Sequence, residues 1–269
     1  VIDLGAPVQP RPITISALEF DVLWEHFGYE DMPLVVKVPS PGATWTERKQ
    51  LVDQAWNGLE QRGLGRAVDL NPGLERALGI LSRPDREVDG RTWLGRSVRF
   101  LAAAREEEAV LTIQADDFLT FHSVPAQSLA SVATGVLAPV PAGPGQSVNI
   151  RADDFETAAN GAGGTQKGFE QALRNRGIRE DDVQTLVTMI KDVVATGNFG
   201  AAARDKWGKR HRAERVVAFF DTEDGRYLQV RKPSGDGSAW TTISPADTRR
   251  LTHQVEQLLG EIVREAESR

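Results

Sequence analysis

The feature that most constrains the fold is an internal echo. FLAAAR at 100–105 recurs as FGAAAR at 199–204. Each copy is followed by a strand hairpin and then an apolar helical stripe. Val110 to Phe121 corresponds in this reading to Val216 to Val230, with acidic turns at 116–117 and 221–225. The helices after Pro125 and Pro245 then correspond as well. A helices–strands–helix unit present twice is the expectation, with Phe100 and Phe199 at equivalent sheet positions. Coincidence within Ala-rich sequence is the alternative. Two copies suggest one sheet shared across a pseudo-twofold axis, not a solenoid.

The rest of the chain divides to match. Residues 1–12 carry three prolines and no periodicity, and read as an extended tail. Residues 13–269 read as a single domain, with halves of about 13–137 and 147–269. Between them, 138–146 holds three prolines and two glycines in nine residues, the composition of a linker. At 269 residues the chain can bury a core without staples.

Local signals place the helices. Ser16 with Glu19, and Thr44 with Glu47, have capping-box spacing. Asn71-Pro72 caps a third helix, where a proline's missing N–H costs nothing. Residues 32–38 read as a strand or extended arm, and 85–123 as a meander of strands. In the second half, helices are expected near 151–160, 166–176 and 180–195, the last with Val193 and Val194 on its apolar face. Strands follow at 197–207, 214–221, 226–232 and 239–243, and Ser244-Pro245 caps a long final helix.

Several function classes fall away. Without cysteine there is no disulfide, thiolate metal site or cysteine nucleophile. No apolar run of about 18 residues is present to span a membrane. The N-terminal stretch has no basic start followed by an apolar run, so no signal peptide is expected. His26, His122, His211 and His253 have no metal-ligand spacing and read as solvated or hydrogen-bonded side chains. There is no G-x-S-x-G elbow. The run Gly161 to Thr165 fails the phosphate-loop pattern and reads as an interhelical turn. Asp116-Asp117 and Asp153-Asp154 sit where turns and helix starts favour acids for local reasons. No cofactor and no metal is expected.

Two clusters invite a binding role. Lys206, Lys209, Arg210, Arg212 and Arg215 surround Trp207 and His211. Nucleic acid is not expected, because the net charge is −6 and nonspecific affinity follows the phosphates neutralised. A solvated hairpin loop is the reading, with substitution of Lys209, Arg210 and Arg212 expected to leave stability nearly unchanged. The tryptophans are the second cluster. Trp24, Trp45 and Trp56 fall among helix apolar positions and read as core. Trp93 lies in Arg91, Thr92, Trp93, Leu94, Gly95, Arg96 and Ser97. A tryptophan capping the sheet core and an exposed interface anchor are equally compatible with that setting.

The order of elements resembles the EspG proteins, chaperones of the type VII (ESX) secretion systems of mycobacteria and related actinobacteria. The likeness spans about 13 to 269. It rests on the early strand and helix ITISALEF at 13–20, on RPDREVDG at 83–90, on the meander carrying FLAAAR, and on the similar second half. The resemblance implies an α+β fold: a central antiparallel β-sheet flanked by helical bundles, with quasi-twofold internal duplication. It implies a cytoplasmic, non-enzymatic protein, monomer or weak homodimer. The partner implied is a PE–PPE heterodimer, bound through the helical tip of the PPE subunit and kept soluble for secretion. By position, the partner-binding loop is Arg91 to Ser97, which here is short. An enzyme with a dispersed acid/base site in the sheet cleft is the rival reading.

Overall fold

The computed structural model describes residues 11–161, 163, 165–235 and 237–269. The expected tail therefore lies, but for Arg11 and Pro12, outside the described residues, as do Ala162 and Gly164 of the glycine-rich turn.

The first half opens with β1 (Ile13–Ser16) and α1 (Ala17–His26), joined by the expected capping box. Glu19 N–H donates to Ser16 Oγ at 3.2 Å and Ser16 N–H donates to Glu19 Oε2 at 2.7 Å. Next come α2 (Trp45–Gln61), the short β2 (Gly65–Arg66) and β3 (Asp69–Leu70), and α3 (Pro72–Ser82). Asn71 Oδ1 accepts from the Gly73 and Leu74 N–H groups at the start of α3. The meander is β4 (Arg86–Trp93), β5 (Ser97–Arg105), β6 (Glu108–Ala115) and β7 (Phe118–Pro125), followed by α4 (Leu129–Thr134).

The second half begins with β8 (Val148–Arg151), α5 (Ala152–Gly161), α6 (Gln166–Asn175) and α7 (Glu180–Met189). Its strands are β9 (Val193–Arg204), β10 (Arg210–Arg212), β11 (Val217–Thr222), β12 (Gly225–Pro233) and β13 (Ala239–Pro245), and it closes with α8 (Thr248–Glu267). One antiparallel sheet runs β1-β7-β6-β5-β4-β9-β11-β12-β13-β8, with β10 added to β9. Read outward from the β4–β9 pair, the same succession appears on both sides: meander strands first, the early strand last. This is the expected α+β sheet with quasi-twofold order. Among the described residues, no helix is long and apolar enough to cross a membrane.

The register of the echo differs from the expectation. Phe100 is on the second strand of its meander, whereas Phe199 is on the first of its own. They are not counterparts. Both pair with Gly90 from opposite sides of β4. Similar surroundings, not equivalent position, explain the shared sequence. On both strands the Phe and alternate alanines face α4 and α8, and Ala102, Ala104, Ala201 and Ala203 are all buried there. Small side chains let a helix approach a sheet closely.

The opposite face carries two separate cores. One packs α1, α3 and Val35, Val36 and Val38 against Leu101, Ala103, Val110, Leu119 and Phe121. The other packs α5 to α7 against Phe220, Tyr227 and Ile243. Residues 32–38 are an arm without strand pairing, anchored by those buried valines.

Other boundaries move for identifiable reasons. The third helix of the second half ends at Met189, not at 195. Asp192 has a φ of 53°, a left-handed turn that stops a helix, and the β-branched Val193 and Val194 begin β9 instead. The final helix is capped by Asp247, whose Oδ1 accepts from Arg250 N–H at 2.8 Å, because β13 continues through Pro245. Trp45, expected in the core, is 90% exposed at the first position of α2. Trp24 is buried and donates to Glu30 O at 2.6 Å, and Trp56 is half-buried against His26.

Residues 138–146 lie along β12. Arg226 N–H donates to Pro141 O at 2.8 Å, Gly143 N–H to Arg226 O at 3.1 Å, and Tyr227 OH to Pro144 O at 3.0 Å. The Arg226 guanidinium, fully buried, forks onto Asp221 at 2.7 and 2.9 Å and reaches Ala138 O at 3.1 Å. Removing one member of such a pair strands a buried charge, at a cost of about 3–5 kcal/mol.

Candidate functional site

Between the two helical cores the sheet face is left uncovered, and there it forms the floor of a cleft. The cleft holds a cavity of about 690 Å³, walled by the arm from Glu30 to Lys37 and floored by β4 and β9. Alternation on β4 brings Glu87, Asp89 and Arg91 to this floor, and Trp93 follows as the next residue of the series.

The two carboxylates are saturated. Arg210 donates to Glu87 through Nε at 2.9 Å and through Nη2. Arg212 forks onto Asp89 at 2.5 and 2.9 Å. Both arginines cross β9 from β10 to reach β4. A Cβ at Gly200 would overlap the Arg212 guanidinium, so the glycine makes that crossing possible. Burial pushes Glu87 above the ordinary carboxylate range, against the pull of Arg210. The hydrogen bond to Asp89 pushes Arg212 up further.

These contacts overturn the reading of the basic run as a solvated loop. Glu87 and Asp89 side chains are 8% and 9% exposed, so Arg210 and Arg212 neutralise buried charge. His211, between them, bonds Asp205 at 2.8 Å, and Asp205 Oδ1 also accepts the N–H groups of Trp207 and Lys209. Trp207 at the hairpin tip is 78% exposed, with Lys206 over its ring, and Lys209 is exposed as well. Sequence reasoning missed this because the partner carboxylates lie 123 residues away.

The structure brings the predicted 91–97 residues to the cleft end of the β4–β5 hairpin, but not all onto one surface. Arg91 lines the cavity. Thr92 points away, buried, and donates to Val98 O at 3.0 Å. Trp93 is the last residue of β4 and is 56% exposed. Leu94 packs on the core under α4 and α8. The turn closes tightly: Leu94 N–H donates to Arg96 O at 2.9 Å and Gly95 has a φ of 73°. Arg96 pairs with Asp116 at 2.8 Å on the neighbouring hairpin, and Ser97 returns opposite Trp93.

Two further contributors were not legible in the sequence. Leu34, on the arm, is 76% exposed, and its carbonyl accepts a long hydrogen bond of 3.5 Å from Arg91. Val193 and Val194, assigned to a helix from sequence, are exposed at the start of β9, close to Thr196, which pairs with Trp93. Leu34 thus stands at the cavity and Trp93 follows Arg91 on β4, while Val193 and Val194 add exposed apolar side chains at the start of β9. That arrangement suits a partner's apolar side chains.

The EspG family's sequence profile matches residues 16–257. The chain belongs to the EspG family. No curated protein matches it. Among solved structures, it is similar to the Mycobacterium tuberculosis type VII secretion system chaperone EspG5, solved in complex with a PE25–PPE41 dimer. Sequence identity is 18%, the alignment covers 93% of this chain and 96% of that one, and the TM-score is 0.72. At that identity the likeness establishes a shared fold.

Proposed function

We propose that this EspG-family protein is a cytoplasmic type VII secretion chaperone that binds the helical tip of the PPE subunit in a PE–PPE heterodimer and keeps it soluble. The observation that carries this reading is a pair of exposed apolar side chains, Leu34 lining the cleft and Trp93 two residues beyond the cleft's Arg91 on β4. A helix-rich cargo must hide its apolar tip before export, and exposed aromatic and branched aliphatic side chains beside a polar cleft do that. The resemblance of fold to a chaperone bound to such a dimer supports it.

In this reading the acidic side chains of the cleft serve the fold and not catalysis. General acid/base chemistry needs a carboxyl free to exchange a proton with substrate. Glu87 and Asp89 are each held by an arginine in a stable pair.

The test is titration calorimetry against purified PE–PPE pairs of the source organism. One pair should bind with an interface of about 1,200–2,000 Å² in total. Absence of binding to every pair would remove the chaperone reading.

A further inference from the structure

Beside Trp93 the sheet holds an electrostatic conflict. Arg91 on β4 and Arg99 on β5 are directly opposite partners in the register. By alternation with Leu101 and Ala103, Arg99 shares the cleft face with Arg91. Directly opposed side chains on one face stand about 4.5–5.5 Å apart at Cβ, and like charges so placed destabilise the sheet. Among the described residues neither arginine has an ion-pair partner. Glu30 and Asp31 line the same cavity but do not pair with Arg91. The contrast lies along the same strand. Glu87 and Asp89 are each matched by an arginine, and then the sign inverts at Arg91, where β9 offers only the neutral Asn198.

We propose that Arg91 and Arg99 form a two-arginine site that receives a carboxylate side chain of the protein partner. This deepens the chaperone reading and rests on it. The occupant is a protein carboxylate because exposed Trp93 and Leu34 flank the arginines, so that an acidic side chain among apolar ones fits both parts of the surface. Two guanidiniums supply the forked donors that a carboxylate accepts. The conflict in the free chain is relieved when the anion arrives, so the pair sacrifices some stability for recognition.

The experiment compares the full-length chain with the Arg91→Gln/Arg99→Gln double variant, titrated with the cognate PE–PPE dimer. The wild type should weaken as salt rises from about 50 to about 500 mM, a range over which exposed charges are progressively screened. The double variant should bind at least about tenfold more weakly and lose most of that salt dependence. Its Tm should be unchanged or higher, since a repulsion has been removed. Arg91→Glu should be rescued by one acidic-to-Lys change on the cargo tip. Equal affinity and an equal salt slope in the double variant would overturn the two-arginine site while leaving the chaperone reading in place. Wild-type failure to bind any PE–PPE pair would overturn both. Capture of inorganic phosphate or single-stranded DNA with cargo binding unaffected by the double substitution would reassign the site to a non-protein anion and also overturn the proposal.

Discussion

Phe100 and Phe199 come together over Gly90, with ring centroids 5.4 Å apart. Each is a cross-strand partner of that glycine, and both rings are fully buried. A Cβ at Gly90 would overlap the Phe100 ring. Gly90→Ala should therefore destabilise by about 1–3 kcal/mol, the usual cost of overpacking. Adding Phe100→Leu should recover part of the loss. Urea unfolding of the two single variants and the double variant measures the coupling, and additive losses would show that the ring is not what excludes the methyl group.

The basic hairpin offers a sharper test of the cleft floor. Arg210→Ser and Arg212→Ser each strand a buried carboxylate, although the arginines themselves are about 40% exposed and partly screened. Each should cost about 1–3 kcal/mol, the range for hydrogen bonds to charged groups. Lys209→Ser, without such a partner, should stay within about 0.5 kcal/mol. Equal effects of all three in thermal melts would return the run to the status of a solvated loop.

Acid should act on the same hairpin. Asp205 is held below the ordinary aspartate range, first by the hydrogen bond from His211 and then by backbone N–H groups of Lys209 and Trp207. A carboxylate with a depressed folded value contributes stability that is present above its unfolded value and lost as pH falls through the folded one. His211→Ala should raise the Asp205 pKa and move the onset of acid destabilisation to higher pH. Carboxyl NMR titration reads the first effect and Tm against pH the second. An Asp205 titration unchanged by the substitution would separate the two groups.

At the opposite end of β4, Trp93→Ala should cost more than about 1 kcal/mol of binding to the cognate dimer while leaving circular dichroism unchanged. The ring is more than half exposed, so its removal opens no core cavity. Unchanged affinity would take Trp93 out of the interface.

Much of this protein was legible one residue at a time. Capping at Ser16, Thr44 and Asn71 follows from donors and acceptors two or three residues apart, and those helix starts appear where the sequence places them. The meander of strands at 85–123 was legible too, because apolar period and turn residues are local properties, whereas the α+β class with its central antiparallel sheet came from the resemblance to the EspG proteins. The helix-to-strand boundary at Asp192 was not, because a valine pair suits an apolar helix face and a strand alike, and the left-handed turn decides between them.

Across strands, the sequence determined composition and the tertiary structure decided adjacency. FLAAAR and FGAAAR looked like counterparts because the same side chains suit the same surroundings. Only the hydrogen-bonded register shows that they flank one strand instead. The same register sets Arg91 against Arg99, and the hairpin's return sets Arg210 and Arg212 on Glu87 and Asp89. Leu34 reaches the site because an unpaired arm is pinned over the sheet by its buried valines. The physical reason is range. A cap or a turn is settled within a few residues, whereas a cross-strand neighbour depends on every turn length and pairing between two distant segments.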